Sequence, residues 1–544
     1  MTKIDPIVWT IMKKRGISTR EDAIEFLSPK PKRTYDPFLL KDMEEGVQLI
    51  LDTVNEGGRI CVYGDYDTDG ITSTCVMMTI LSQLSDKVTY YIPSRFEEGY
   101  GLNKEAIAEI REQGTDLMIT VDCGSSSRDE VEFAKEIGLR VLVTDHHSID
   151  DVQADCLLIN PKQRECNYPF DGLAGCGVAY KVAQALQRRA DLPKSVIARL
   201  LDIVAIGTIG DIVPLVDENR TIVKYGLREL NSGNRLSLKK FCEGVSLKPG
   251  SIGSAEVTFI IVPHLNAAGR MKSADYGVKL LLSEDKNEIM LLTEMLKGYN
   301  NKRKEIQQET YEMCLELMKE QCAGSLFPVI EAEEAHEGIT GIVAGKIKDR
   351  EKKPVIIVTP SDGMLKGTGR CIENLNLYDI MKKHAELFIR FGGHAGACGF
   401  TMEPKNLDKL RKCLHEDLAK MDPALLEPPA DFDLDINAGN AGVPLAEQLE
   451  ILAPFGNCNR RPVFRFRGLH PDDVRLMGNN NQHLRFRGSD ASGSVNCVLF
   501  GRAGDFAAAL QSGSPVNVYG ELSINEWNGS RNLQVLVREM TAVK

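Results

Sequence analysis

The motif GDYDTDG packs Asp65, Asp67 and Asp69 directly behind the apolar run RICVYG. Two more apolar runs end the same way: DCG puts Asp122 after LMITV, and DHH puts Asp145, His146 and His147 after RVLVT. A further acid, Asp211, closes LDIVAIGTIGD. Aspartates crowded at a strand end repel one another, and such a cluster persists mainly when a cation neutralises it. Carboxylates mixed with imidazole and no thiolate suit Mn²⁺ or Mg²⁺ better than a structural zinc. Two such ions about 3.5–4 Å apart would clamp a phosphoryl group and activate water against it. D-x-D-x-D-G also opens a calcium-binding EF-hand loop, but that loop needs glutamate at position twelve and a preceding helix. Position twelve from Asp65 is Val76 and a strand pattern precedes, so the EF-hand reading fails. A single aspartate after a strand is as easily a turn or a helix cap. The whole set is not.

Other motifs point to phosphate. GTGR (Thr368 and Arg370) and NAAGRM (Asn266 and Arg270) pair small residues, which admit a close backbone, with a guanidinium that can grip phosphate bidentately. Each motif alone is weak, because a turn glycine followed by arginine is common and the ordinary-turn reading is favoured. GGHAG sets His394 among glycines, where a surface histidine is the default. GITGIVAGKI resembles a nucleotide-binding P-loop, but it has three residues between Gly341 and Gly345 and Ile347 where Ser or Thr would meet Mg²⁺. An ATP-driven function is not supported.

To position these groups the chain offers 544 residues, which at roughly 150 per domain means three or four structural units. An apolar share of 43% and a charged share of 26% are those of a globular protein. No apolar stretch is long enough for a membrane span and the start lacks a signal-peptide core, so a cytoplasmic chain with no membrane partner is expected. The 14 cysteines are scattered, indicating neither a disulfide framework nor a thiolate zinc site. The runs RICVYG, VTYYI, LMITV, RVLVT and CLLIN alternate with amphipathic segments, the pattern of a parallel α/β sheet whose ligands lie beyond the carboxyl ends of its strands. Helical spacing of Leu292, Leu296, Tyr299, Ile306, Thr310, Met313 and Leu317 predicts a long helix over 288–322. FPVIE, PVIIV and LKGTGR then open a second α/β domain that runs to FGGHAGACGF, and DPALLEPPADFD marks a linker. PVFRFRG, HLRFRG, GSVNCVLFG, SPVNVYGEL and NLQVLVRE predict a small β-barrel of the oligonucleotide-binding (OB) type.

Net charge is −11, which alone argues against a nucleic-acid partner. From Asn459 onward, however, 11 basic residues, ten of them arginine, face 7 acidic ones, so a +4 segment follows a −15 body. Arginines and aromatics interleave there in VFRFRG, HLRFRG and INEWNGSR, as in folds that bind single strands by phosphate contact and base stacking. Because Phe464 and Phe466 alternate with Arg465 and Arg467, one of the two sets is expected to face the barrel core.

Taken in order, DYDTDG, VDCG, TDHH and IGTIGD resemble the DHH superfamily of phosphoesterases. The remaining motifs (RGISTREDAIEFLSP, IPSRFEEGYGL, INPKQ, LAGCGVAYK, PHLNAAGRM, HEGITGIVAGKI, GTGRCIENLNLYDIM, GGHAGACGF and SINEWNGSRNLQV) are similar to those of its single-strand-specific 5′→3′ DNA exonucleases, over nearly the whole chain. The resemblance implies an α/β fold: an N-terminal extension (1–45), a parallel-sheet DHH domain (46–287), a connecting helix (288–322), a DHH-associated α/β domain (323–422), a linker (423–458) and an OB-fold barrel (459–544). It implies a two-metal Mn²⁺ or Mg²⁺ site: Asp69, Asp122, His146 and Asp211 around one ion, and Asp67 and Asp122 around the other with Asp65 assisting. Asp145 would support this set and His147 would face the scissile phosphate. Arg95, Thr368 and Arg370 would bind the terminal 5′-phosphate, while Arg270, Asn266 and His394 would serve the phosphates near the cut. Implied partners are single-stranded DNA and, beyond it, a single-strand-binding protein and a RecQ-like helicase. The chain departs from the family pattern at His264, where arginine is common, at Ala335, where an aromatic is usual, and at Thr368 and Cys371, where serines are frequent. None of these is an expected metal ligand. Two alternatives remain: a phosphodiesterase for short oligonucleotides or cyclic dinucleotides, against which the barrel argues, and a non-catalytic binding protein, against which the complete ligand set argues.

Overall fold

The computed structural model describes residues 4–543 except 96, 97, 100, 150, 151, 427–429 and 528. Residues 96, 97 and 100 of IPSRFEEGYGL, 427–429 of the proline-bearing stretch, and the stacking expected of INEWNGSR at the Trp527 side chain and residue 528 therefore lie outside the described residues.

The five apolar runs become β1 (Ile60–Tyr63), β2 (Val88–Tyr91), β3 (Leu117–Val121), β4 (Arg140–Thr144) and β5 (Leu157–Ile159). All pair in parallel, in the order β2-β1-β3-β4-β5. Parallel strands covered on both faces bury continuous apolar runs, and β1 and β3 are buried throughout. In this strand order the chain reverses its direction of sheet-building between β1 and β3, and the crevice at that switch point is where such sheets bind ligands. Asp65–Asp69 leave β1 and Asp122 leaves β3, so topology alone delivers both motifs to one crevice.

The connecting helix runs Lys286–Gln321. Ile289, Leu292 and Leu296 at its start join the core of the first domain, and Cys314 near its end joins a core in the second. That domain is a mixed sheet of β6 (Val329–Glu331), β7 (Val355–Ser361), β8 (Met364–Arg370), β9 (Phe388–His394) and β10 (Ala397–Met402), ordered β6-β7-β8-β10-β9. After β11 (Leu434–Asp435) come β12 (Val463–Met477), β13 (His483–Asp490), β14 (Gly493–Leu499), β15 (Val516–Trp527) and β16 (Ser530–Ala542). Pairing of β12 with β15 closes these last five into a barrel.

The barrel is larger than its sequence boundary. The stretch 423–458, expected to be a linker, places Ile436, Ala438, Leu445, Ala446, Leu449 and Leu452 in the barrel core. The N-terminal extension joins the same core through Val8, Ile11 and Met12 of the helix Pro6–Lys14, so the two ends of the chain fold together. The charge asymmetry is corrected as well. Residues 432–458 add four carboxylates (Asp433, Asp435, Glu447 and Glu450) and no basic residue, so the module from 432 to 544 is neutral rather than +4. Phe464 and Phe466 are fully buried, while Arg465 and Arg467 both turn outward onto Asp435.

Candidate metal and phosphate site

Asp67 caps the helix Thr68–Leu81, its Oδ1 accepting from the backbone N–H groups of Asp69 and Gly70 at 2.8 and 3.1 Å. Asp69 reaches across to the helix Gly175–Arg189, where Oδ2 and Oδ1 accept from the N–H groups of Gly175 and Cys176 at 2.6 and 2.9 Å. A helix N-terminus favours a carboxylate, so this contact fixes a buried charge without another side chain. It also requires glycine: a Cβ on Gly175 would stand 2.6 Å from Asp122 Oδ1. Asp122 sits at φ +63°, a left-handed conformation that aspartate tolerates, and this turns its carboxylate into the crevice. Asp145 is occupied as a support, accepting from the N–H groups of Ser125, His146 and His147 and from His147 Nδ1 at 2.8 Å.

Three sets of ligand atoms, each within 4.8 Å, result: Asp65, Asp67 and Asp122; Asp69, His146 and Asp211; and Asp122, His146 and His147. His146 Nε2 stands 3.1 Å from Asp122 Oδ1, 3.5 Å from Asp211 Oδ2 and 3.8 Å from Asp69 Oδ2. None of these contacts has hydrogen-bond alignment, and Asp65 Oδ1, Asp122 Oδ1 and both His146 ring nitrogens are buried polar atoms without a hydrogen-bond partner among the described residues. Buried lone pairs converging without donors cost free energy that a cation recovers. The residues present therefore fit Mn²⁺ or Mg²⁺, which accept this mixture of oxygen and imidazole ligands.

The electrostatics agree. Burial and the neighbouring aspartates push the Asp122 and Asp65 carboxyls well above their usual range, and burial with Asp69 and Asp67 pushes Asp211 up to about 8. Burial lowers His146 to about 4, leaving it a neutral ligand. Burial also opposes protonation of His147, but its hydrogen bond to Asp145 and the charge there outweigh burial and raise it to about 9. A carboxyl whose folded pKa lies above its unfolded value binds more protons when folded, so the contribution of Asp211 to the stability of the metal-free protein falls as pH rises between about 4 and about 8, and Asp65 and Asp122 act in the same direction. A bound cation removes that penalty. We predict that the rise in melting temperature caused by saturating Mn²⁺ is larger at pH 8 than at pH 6; a rise equal at both values would show that these carboxylates do not meet the ion.

Opposite the acids lies a cluster of arginines. Arg95 stacks over the Tyr66 ring with its guanidinium 5.1 Å from the centroid. Arg270 donates to the Gly338 carbonyl at 2.8 Å, and burial with the charges of Arg95 and Arg303 lowers it to about 9. Burial and Arg95 likewise lower Arg370. Arg370 lies along the helix Glu337–Glu351, where a Cβ on Gly341 would stand 2.9 Å from its terminal nitrogen and 3.2 Å from Thr368 Cγ2. Like charges gathered this way form a receptor for an anion. His394 stands at the end of β9 with part of its surface open to solvent, and the neighbouring atoms that partly desolvate its ring, together with the charges of Arg370 and His147, hold it below its ordinary pKa. Asn266 is committed differently from expectation: its carbonyl accepts from the N–H and hydroxyl of Thr68 at 2.8 and 2.9 Å, so it holds the Asp67–Asp69 turn.

Sequence reading missed several supports. Asn160 of INPKQ donates to the His147 carbonyl at 2.9 Å and to Ser125 Oγ, locking the histidine loop. Arg303 on the connecting helix adds a fourth guanidinium, oriented by Asn300 Oδ1 at 3.1 and 2.9 Å. Asn300 in turn meets His264 Nε2 at 3.2 Å, which gives the departure at position 264 a place in the same network. A strand-end motif announces itself locally; these residues act through contacts distant in sequence.

A switch-point cage of aspartate and histidine beside arginines drawn from the first domain, the connecting helix and the second domain defines a DHH-type phosphoesterase with its associated domain. Residues 59–208 match the DHH family N-terminal domain, 324–420 the DHHA1 domain and 432–539 the RecJ OB domain. The chain is 38% identical to the single-stranded-DNA-specific exonuclease RecJ of Bacillus subtilis, covering 98% of this chain and 68% of that protein. With RecJ of Escherichia coli the identity is 32% over 98% and 96% of the two chains. A crystal structure of RecJ in complex with Mn²⁺ from Thermus thermophilus superposes with a TM-score of 0.83 at 28% identity, covering 99% of this chain and 76% of that one. The chain belongs to the RecJ family.

Proposed function

We propose that the chain hydrolyses single-stranded DNA from its 5′ end to mononucleotides with Mn²⁺ or Mg²⁺, in DNA repair and recombination. The observation that carries this reading is the placing of an unsatisfied carboxylate and imidazole cage beside a half-buried arginine cluster, a pairing that suits a phosphodiester spanning the two. Asp69, Asp122, His146 and Asp211 would hold one ion and Asp67 and Asp122 the other, with Asp65 beside them. Bound there, two ions would neutralise the phosphoryl charge and activate the attacking water. His147, kept protonated by Asp145, donates toward the phosphate oxygens. Arg270 and His394 orient the phosphate at the cut. Arg95, Thr368 and Arg370 take the terminal 5′-phosphate and so set which end enters. The connecting helix and second domain narrow the channel to a single strand. Partners that keep DNA single-stranded or unwind it, a single-strand-binding protein and a RecQ-like helicase, fit the need for such a substrate. The test is mononucleotide release from single-stranded and blunt duplex DNA in Mn²⁺ and in a chelator. Release from the single strand in Mn²⁺ alone is expected, and equal cutting of duplex would overturn the reading.

The barrel's share in holding the strand falls to few residues, because most of its arginines are paired with carboxylates. Arg485 and Arg487 point outward from β13, with no carboxylate within ion-pair distance among the described residues. At about −0.7 per phosphate contact, R485A/R487A is expected to make the salt slope for long single strands shallower by roughly 1.4, measured by binding across a salt series. An unchanged slope would remove both arginines from the strand's path.

A further inference from the structure

The loop that follows Asp211 is strained and is held in place from the barrel. Ile212 sits at φ +60°, a conformation that β-branched residues rarely adopt, and its side chain is 66% exposed, so packing does not hold it there. Three hydrogen bonds tie this loop: Asn457 Nδ2 donates to the Ile212 carbonyl at 2.8 Å, the Leu215 N–H donates to the Asn457 carbonyl at 2.8 Å, and Asn219 Nδ2 donates to the Pro214 carbonyl at 3.0 Å; of these only the first holds Ile212 itself. Leu215 presses against Gly456, where a Cβ would stand 2.5 Å from Leu215 Cδ1.

Asn457 is itself well anchored. Gly456 and Asn459 exchange backbone hydrogen bonds at 3.1 Å, closing a tight turn. Asn459 donates to the carbonyls of Leu452 and Pro454 and accepts from Arg15 of the N-terminal extension. Arg220 of the first domain donates to the Ala453 and Pro454 carbonyls and stacks on Phe26, 3.7 Å from the ring centroid. This buckle joins the N-terminal extension, the first domain and the entry to β12.

We propose that Asn457 is a positioning residue for the metal site: through Ile212 it holds the Asp211 loop in its strained conformation, so that the barrel contributes to metal affinity and not only to DNA binding. The inference rests on the reading of Asp211 as a ligand. A strained loop released from its restraint relaxes toward ordinary dihedrals, and the carboxylate one residue earlier moves with it.

The experiment measures Mn²⁺ binding to the full-length chain by calorimetry and by the electron paramagnetic resonance signal of free Mn²⁺, without substrate. N457A is expected to weaken the site containing Asp211 by about tenfold, as for the loss of one hydrogen bond. The Michaelis constant for DNA at saturating Mn²⁺ should be unchanged. Because the role is to hold backbone strain, I212G added to N457A should restore most of the affinity, glycine adopting φ +60° at little cost. D211N is the control for the underlying reading. If D211N keeps both ions at wild-type affinity, the ligand assignment fails. If D211N loses a site while N457A, folded to wild-type melting temperature, binds both ions normally, the positioning role alone is overturned. Should N457A unfold, the I212G single variant decides: it is expected to bind Mn²⁺ at least as well as wild type, and a tenfold loss would contradict the proposal.

Discussion

Asp122→Asn is expected to fold normally, to bind at most one Mn²⁺ and to lose at least about three orders of magnitude in cleavage rate, because losing shared charge stabilisation of several kcal/mol costs tenfold per 1.36 kcal/mol. Asn is the informative replacement, since it tolerates the left-handed conformation at φ +63° that would strain alanine. Asp122 is the carboxylate common to two of the three ligand sets, and its Oδ1 lies 3.1 Å from His146 Nε2. Neutralising it removes the charge that both ions would share while leaving the volume of the crevice unchanged. Because burial and four neighbouring aspartates disfavour its charge, the metal-free variant should also melt higher than the metal-free wild type. Calorimetry of Mn²⁺ binding with a turnover assay checks both halves. Two ions bound at wild-type affinity, or more than a few per cent of wild-type turnover, would contradict the shared-ligand account.

The second large effect belongs to the far side of the crevice. Arg370→Ala should lower kcat/KM on 5′-phosphorylated single strands by about 10²-fold, the scale of truncating one partner of a buried charge-assisted contact. On 5′-hydroxyl strands the loss should be only a few-fold. The guanidinium is half-buried near Arg95 and lies against Gly341 and Thr368, so it is placed to meet a dianion entering between the domains. Arginine rather than lysine matters here, because a planar fork packed on a glycine keeps its direction. Equal losses on both substrates would take Arg370 out of the terminal phosphate pocket.

Much of this was legible in the sequence because local chemistry and local structure coincide. Apolar runs such as LMITV can be little other than buried parallel strands, and acids at their carboxyl ends must then converge at a switch point. Phe464 and Phe466 alternating with arginines made the barrel's inside readable. What escaped notice depends on contacts between distant residues. The Asn457 side chain meets Ile212 across 245 positions, and no composition or spacing marks it. The N-terminal helix carries an ordinary amphipathic pattern that says nothing of the barrel it enters. The basic tail was an artefact of its boundary: the segment was counted from Asn459, while carboxylates that neutralise its arginines, Asp435 and Glu450, lie just before it. Asn266 stood among the substrate groups only through the family resemblance, and nothing in its local sequence marks that its carbonyl is committed to Thr68.

The most direct measurement is a time course on one single-stranded oligonucleotide carrying a label at its 5′ end in one sample and at its 3′ end in another, in Mn²⁺. The account predicts that the 5′ label appears at once as mononucleotide, while the 3′ label passes through progressively shorter strands, and that a chelator stops both. Prompt release of the 3′ label as mononucleotide, internal fragments from both samples, or cleavage that survives the chelator would contradict it.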